Sequence, residues 1–193
     1  MIALLVLLAL ALAGCETRYD MPLNVYLAAD VSEDERDTIF QALSTWNEAL
    51  GVDVLILEDV PPPAHPRCGE LVIRGVDHIP GGAAGQTFPV DAERGVRGTI
   101  HRCAVRVDFD RVYLAKFGNA SAWATWEVLV HELGAHVLLH CMKDSEAHSH
   151  NPASLLNGES QLPGVQHLLP EDVARIAAHL GIAVHAPSIV EQS

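Results

Sequence analysis

The sequence predicts an α+β fold built on one sheet, with few helices. Three observations carry that expectation. Four short runs rich in Val, Ile and Leu are bounded by turn residues. One longer segment repeats apolar residues at helical spacing. The order along the chain reads β-α-β-β-β-α-loop-α. With 193 residues, 49% of them hydrophobic, the chain can bury one core of ordinary size, and one domain over 23–193 is expected. A net charge of −13 leaves no row of cations to neutralise phosphates, which argues against a nucleic-acid partner.

Each element has a local reason. Residues 23–30, LNVYLAAD, alternate and carry Val and Tyr, so they read as a strand. Ser32 followed by Glu35 has the spacing of a capping box. The helix it opens places Ile39, Leu43, Trp46 and Leu50 on one face and stops at Gly51. Residues 52–60 and 69–77 read as the second and third strands. Residues 80–98 are rich in Gly and read as a loop or irregular hairpin, and 99–110 alternate as a fourth strand. At that strand's end, Asp108 and Asp110 suit either a solvated terminus or a role supporting a bound ion. A helix from about Ala122 to about His140 can be capped by Asn119 or Ser121. Residues 143–165 look irregular. Pro170 suits the first turn of a last helix that Gly181 closes.

The chain opens on an apolar run, Ile2 to Ala13, too short to span a bilayer and of the length of a secretory signal core. It ends in Leu12-Ala13-Gly14-Cys15, which resembles the bacterial lipoprotein cleavage box, although no Lys or Arg precedes the run. The resemblance implies a signal over 1–14, a lipid on Cys15, a tether over 15–22, and a globule held on the membrane by acyl chains. The expected location is the bacterial cell envelope, facing the periplasm or the exterior. An exported chain meets an oxidising compartment. With Cys15 lipidated, Cys68, Cys103 and Cys141 remain, an odd number. Cys68 and Cys103 each lie beside an expected strand and form the candidate disulfide; Cys141 stays single beside the histidines.

Five of the eleven histidines fall between 131 and 150, and three share the segment VLVHELGAHVLLH. Neutral imidazoles are good zinc ligands, and a catalytic zinc keeps one of about four positions for water. Ligands four apart on a helix share a face. His131 and His136 are five apart, which an unbroken α-helix separates by about 140°. Two arrangements resolve this. A π-turn near Gly134-Ala135 absorbs one residue and returns both rings to one side. Alternatively, Glu132, His136 and His140, each four apart, form the set without distortion. His148 and His150 fall in EAHSHNP, which reads as a solvated polar loop.

These features resemble the metzincin-type zinc peptidases, nearest the matrixin-like bacterial lipoproteins, whose helix reads H-E-L-G-H-x-x-G-x-x-H. The likeness lies in VLVHELG on a helix, in a strand and a TWNEALG helix before it, and in NPASLLNG and LLPEDVARIAAHLG after it, over about residues 23–181. It implies one twisted, mostly parallel sheet of about four strands with an active-site helix and a C-terminal helix. It implies one zinc ion, a peptide or protein substrate, and Glu132 as general base. His131 matches the first ligand and His136 is the displaced second. His140 is the expected third, with Cys141, His148 and His150 as alternatives. The departures are Ala135 at the second histidine's place, Leu138 and Leu139 where a Gly belongs, and Leu156 for the Met of the following turn. Those departures keep open a second reading, a catalytically inactive pseudopeptidase lipoprotein that binds a partner in its cleft.

Overall fold

The structure, a computed structural model, describes residues 21–94, 100–140, 144–158 and 166–183. Five strands form one mixed sheet: β1 (Leu23–Leu27), β2 (Leu55–Leu57), β3 (Glu70–Val76), β4 (Gly85–Arg94) and β5 (Ile100–Asp110). Their order across the sheet is β2-β1-β3-β5-β4. The pairs β1–β2, β1–β3 and β3–β5 are parallel, and β4 runs antiparallel to β5 along one edge.

The expectation of about four, mostly parallel strands is corrected here: the described residues form five, and the sheet is mixed. The additional strand is β4, out of the Gly-rich segment expected to be a loop or irregular hairpin. It holds because β5 supplies its hydrogen bonds, with Gly85 opposite Phe109 and Thr87 opposite Val107. Pro89 lies within it, which an edge strand tolerates because one side of its backbone needs no partner. The register slips just after that proline, between Pro89 and Asp91 and again before Ala92.

Helix α1 (Glu33–Leu50) begins at the expected capping box. The Ser32 amide donates to Glu35 Oε2 at 2.8 Å and the Glu35 amide donates to Ser32 Oγ at 3.3 Å. It ends at Gly51, which takes φ 70°. Its apolar face, Ile39, Ala42, Leu43, Trp46 and Leu50, is buried against one face of the sheet, where Val25, Leu71, Ile73, Val105, Val107 and Phe109 are also buried. Alternation along the strands leaves the other face half-exposed. There Arg74 grips Asp108 with two bonds of 2.7 and 2.9 Å, and Arg106 Nε lies 3.0 Å from the same carboxylate.

The chain then leaves the sheet through a short helix, α2 (Arg111–Ala115), and a 3₁₀ turn into α3 (Ser121–His131). Asp110 caps α2 by accepting from the Tyr113 amide at 2.8 Å, and its other oxygen accepts from the Ile79 amide at 2.9 Å. Asp108 and Asp110 are each 3% exposed, so neither is a solvated strand end; one is ion-paired and the other is a cap. Arg111 ties α2 to the start of α1, with bonds to Glu35 at 2.6 Å and to Asp30 at 2.9 Å. Gly75 makes room for it, since a Cβ there would lie 2.4 Å from the guanidinium Nε.

After α3 come a π-helical segment (Glu132–Leu138), a short helix α4 (Asp144–Ala147) and α5 (Pro170–Leu180), which has Pro at its start and Gly181 at φ 70° after its end. No helix among the described residues is long and apolar enough to cross a membrane. Cys15 and Cys141 lie outside the described residues, as does the side chain of Cys103. Cys68 is disulfide-bonded.

Candidate metal centre

The helix carrying HELGAH changes its hydrogen-bond ladder in mid-course. Glu132–Leu138 is π-helical, and the Leu139 amide bonds to the Gly134 carbonyl, five residues back, at 3.0 Å. Two contacts from outside hold this form. The buried Trp46 indole of α1 donates to the Val130 carbonyl at 3.0 Å, just before the changeover. A ladder that passes from four- to five-residue spacing leaves a carbonyl there short of a donor, and Trp46 supplies one. Gly134 lets the same ring approach the helix closely. A Cβ on Gly134 would sit 2.4 Å from Trp46 Cζ2 and 2.6 Å from Leu156 Cδ2.

The extra residue in the turn brings His136 round to the side of His131. Their ring centroids are 5.7 Å apart. His148 completes the group: its ring stacks on His131 at 5.1 Å and meets His136 at 5.0 Å. One nitrogen from each of the three half-buried rings lies within 4.8 Å of the others, which is within metal-binding distance. His131 Nε2 and His148 Nε2 lie 3.2 Å apart. His131 Nδ1 lies 2.8 Å from the Leu155 carbonyl, which can only accept. Nδ1 therefore carries a proton, and in the neutral ring the lone pair is on Nε2, which faces the group.

Two loops around α5 place His148 and the Leu155 carbonyl. Ser154 Oγ donates to buried Asp172 Oδ2 at 2.6 Å and accepts from the Leu156 amide at 2.9 Å. The Leu155 amide donates to the His167 carbonyl at 2.9 Å. The Ser149 amide donates to the Leu156 carbonyl at 2.8 Å, and Arg175 donates to the carbonyls of Glu146 and His148 at 3.1 and 3.2 Å. His148 is thus built into the fold and is not part of a solvated loop as expected. His150, two residues on, is exposed.

The structure does not bring His140 to the group. The π ladder ends at Leu138, and Leu139 leaves helical geometry at φ −94° and ψ 27°. His140 turns into the interior, where its Nδ1 lies 3.2 Å from the Val137 carbonyl and its ring meets His179 at 5.3 Å. The set Glu132, His136 and His140 needs an unbroken α-helix, which this segment is not. Cys141 lies outside the described residues.

Glu132 stands beside the histidines and outside their group. It is 6% exposed, and Thr87 Oγ1 donates to its Oε2 at 2.7 Å. Gly85 lies against the same side chain; a Cβ there would be 2.9 Å from Glu132 Cγ and 2.5 Å from Val128 Cγ1. Thus edge strand β4 positions Glu132. A cleft of about 300 Å³ opens along α3 and is lined by His131, Glu132, Glu127, Gly85 and Gln166 among others. The sequence reading missed Gly85, Thr87, Glu127 and Gln166. Only Glu127 carried a signal: four residues before His131, it shares that histidine's face of the helix. No protein-family model matches this chain, and a search of curated proteins finds no match.

Proposed function

We propose that this chain is a zinc-dependent peptidase of metzincin type, held at the bacterial envelope by a lipid on Cys15. The observation that carries the proposal is the convergence of His131, His136 and His148 beside the buried carboxylate of Glu132. The donor set fits zinc. Three neutral imidazoles and one open position are a catalytic zinc's preference. Two nitrogens on a tetrahedral ion at about 2.0–2.1 Å stand about 3.3 Å apart, against 3.2 Å between the Nε2 atoms of His131 and His148. The Leu155 carbonyl accepts from His131 Nδ1 and so orients the ring, as a partner behind a zinc-binding histidine does in such sites.

A zinc ion held there would polarise a substrate carbonyl and acidify water. Glu132 is the group placed to take the proton from attacking water and to return it to the leaving amine. Thr87 holds one of its oxygens, which fixes the carboxylate's orientation. Edge strand β4 and the cleft beside it offer an extended peptide a backbone partner and a place for one side chain.

The test is cleavage of a mixed peptide library by the detergent-solubilised full chain loaded with zinc, and by Glu132→Gln. The proposal expects cleavage that falls at least a hundredfold in the variant, the usual contribution of a general base being about 10²–10⁴-fold. Zinc bound without any Glu132-dependent cleavage would favour the non-catalytic binding protein.

A further inference from the structure

The sheet edge beside Glu132 is open over a short length only. At the start of β4 the Asp110 amide of β5 donates to the Ala84 carbonyl at 2.8 Å. The register then places Gln86 opposite Asp108 and Phe88 opposite Arg106. These even-numbered residues turn their backbone N–H and C=O groups to β5. The odd-numbered ones, Gly85, Thr87 and Pro89, turn theirs outward. No strand among the described residues lies on that side of β4. Gly85 and Thr87 each offer one N–H and one C=O. Pro89 offers a C=O alone, and the register slips directly after it. Ahead of Gly85 the chain turns through Gly81 and Gly82, at φ 91° and 78°.

We propose that this edge reads one short stretch of extended peptide, paired at Gly85 and Thr87, and that Pro89 sets where the reading stops. Outward N–H and C=O groups at alternate residues are complementary to another peptide backbone. Gly85 and Thr87 supply two donors and two acceptors, whichever way the added strand runs, and the Pro89 carbonyl accepts one bond more. With no N–H at Pro89 and a bulge beyond it, the ladder ends there. It is too short to hold a second copy of the chain, since a stable protein pair buries about 1,200–2,000 Å². Short, bulged edges are also what keeps sheets from pairing with one another. A peptide needs less, because the cleft beside Gly85 adds a seat for one of its side chains. The pairing residues face the candidate site as well. Thr87 Oγ1 donates to Glu132, and a Cβ on Gly85 would lie 2.9 Å from Glu132 Cγ. A peptide residue opposite either one points its side chain to that same face, and the residue between points away.

As a statement about where a substrate lies, this rests on the peptidase reading; as a statement about binding, it is tested without cleavage. The probes are capped alanine peptides of three, five and nine residues. Each carries one central leucine, to seat in the cleft and fix the register. Binding to the zinc-loaded full chain with Glu132→Gln is followed by calorimetry. Affinity should rise at least tenfold from three residues to five, and stay within about threefold from five to nine. N-methylation of the five-residue probe, one amide at a time, should weaken binding at least tenfold at alternate positions and within about threefold at those between. Adding Pro89→Ala restores an N–H to the edge. It should tighten the nine-residue probe about three- to tenfold, the worth of one net hydrogen bond, and leave the three-residue probe unchanged. Affinity that keeps climbing to nine residues with Pro89 in place, a methylation scan without alternation, or no effect of Pro89→Ala overturns the inference. So does a chain that is dimeric through this edge and binds no probe. Length-limited binding by a chain whose wild type cuts no peptide would keep the edge and remove the peptidase. Cleavage whose rate climbs with peptide length well beyond five residues would do the reverse.

Discussion

Replacing Gly134 by Ala tests how the π-turn is held. By helix propensity the change should stabilise, because Ala in a helix interior is favoured over Gly by about 1 kcal/mol. The structure gives the opposite sign. The new Cβ would lie 2.4 Å from Trp46 Cζ2, 3.1 Å from Trp46 Cη2 and 2.6 Å from Leu156 Cδ2. Neither neighbour can withdraw: Trp46 and Leu156 are both 0% exposed, and the Trp46 indole is bonded to the Val130 carbonyl. Overpacking of this kind costs about 1–3 kcal/mol, and disturbing a buried hydrogen bond about 1 kcal/mol more. Set against the propensity gain, the net is a destabilisation of about 2 kcal/mol. For a domain of this size that lowers Tm by about 4–8 °C. Urea unfolding of the metal-free chain measures it directly. Metal affinity should fall as well, since displacing Trp46 removes the contact that holds the turn between His131 and His136. A variant as stable as the wild type, or more so, would refute the claim that Trp46 and Gly134 hold the π-turn.

Gly85→Ala pushes on Val128 and Glu132 and leaves the three histidines alone, so it should keep zinc while reducing peptide cleavage at least tenfold; assaying metal content and cleavage on one sample checks this. Ser154→Ala leaves buried Asp172 and the Leu156 amide without their shared hydroxyl, a loss of about 1–3 kcal/mol. It should also weaken zinc binding through the Leu155 carbonyl, read by competition with a chelator. Acid should unfold the chain through carboxylates held below their ordinary range. The Arg111 bond lowers Asp30. At Glu35 and Asp110 burial works upward, but is outweighed by Arg111 and Ser32 at the first and by the Tyr113 and Ile79 amides at the second. Folded values below unfolded ones mean that this stability is complete above about pH 4–5 and is lost as pH falls through the lowered values. Urea midpoints from pH 7 to pH 3 should therefore decline, and Arg111→Met should flatten the decline.

Where local chemistry decides the structure, the sequence was easy to read. The Ser32–Glu35 box, the Ile39-Leu43-Trp46-Leu50 face, and Gly51 and Gly181 as helix stops all act within a few residues, and each stands where its pattern puts it. The five-residue gap between His131 and His136 limited the helix to two arrangements. The choice between them lay in Trp46, more than eighty residues away, which no local pattern reveals. Strand β4 was hidden for a similar reason: Gly-rich at its start and broken by Pro89, it exists through its pairing with β5. His148 looked like a loop residue because its neighbours are polar. What fixes it is the closure of two loops through Ser154, Asp172 and Arg175. His140 looked better placed because it lies on the same helix in sequence, and the end of the π ladder turns it away.

The most direct measurement is zinc content per chain, on the full chain, for the wild type and for His136→Ala, His148→Ala and His140→Gln. One zinc is expected in the wild type and in His140→Gln, and none in the other two. An empty wild type, or zinc that survives in His148→Ala but leaves with His140→Gln, would contradict it.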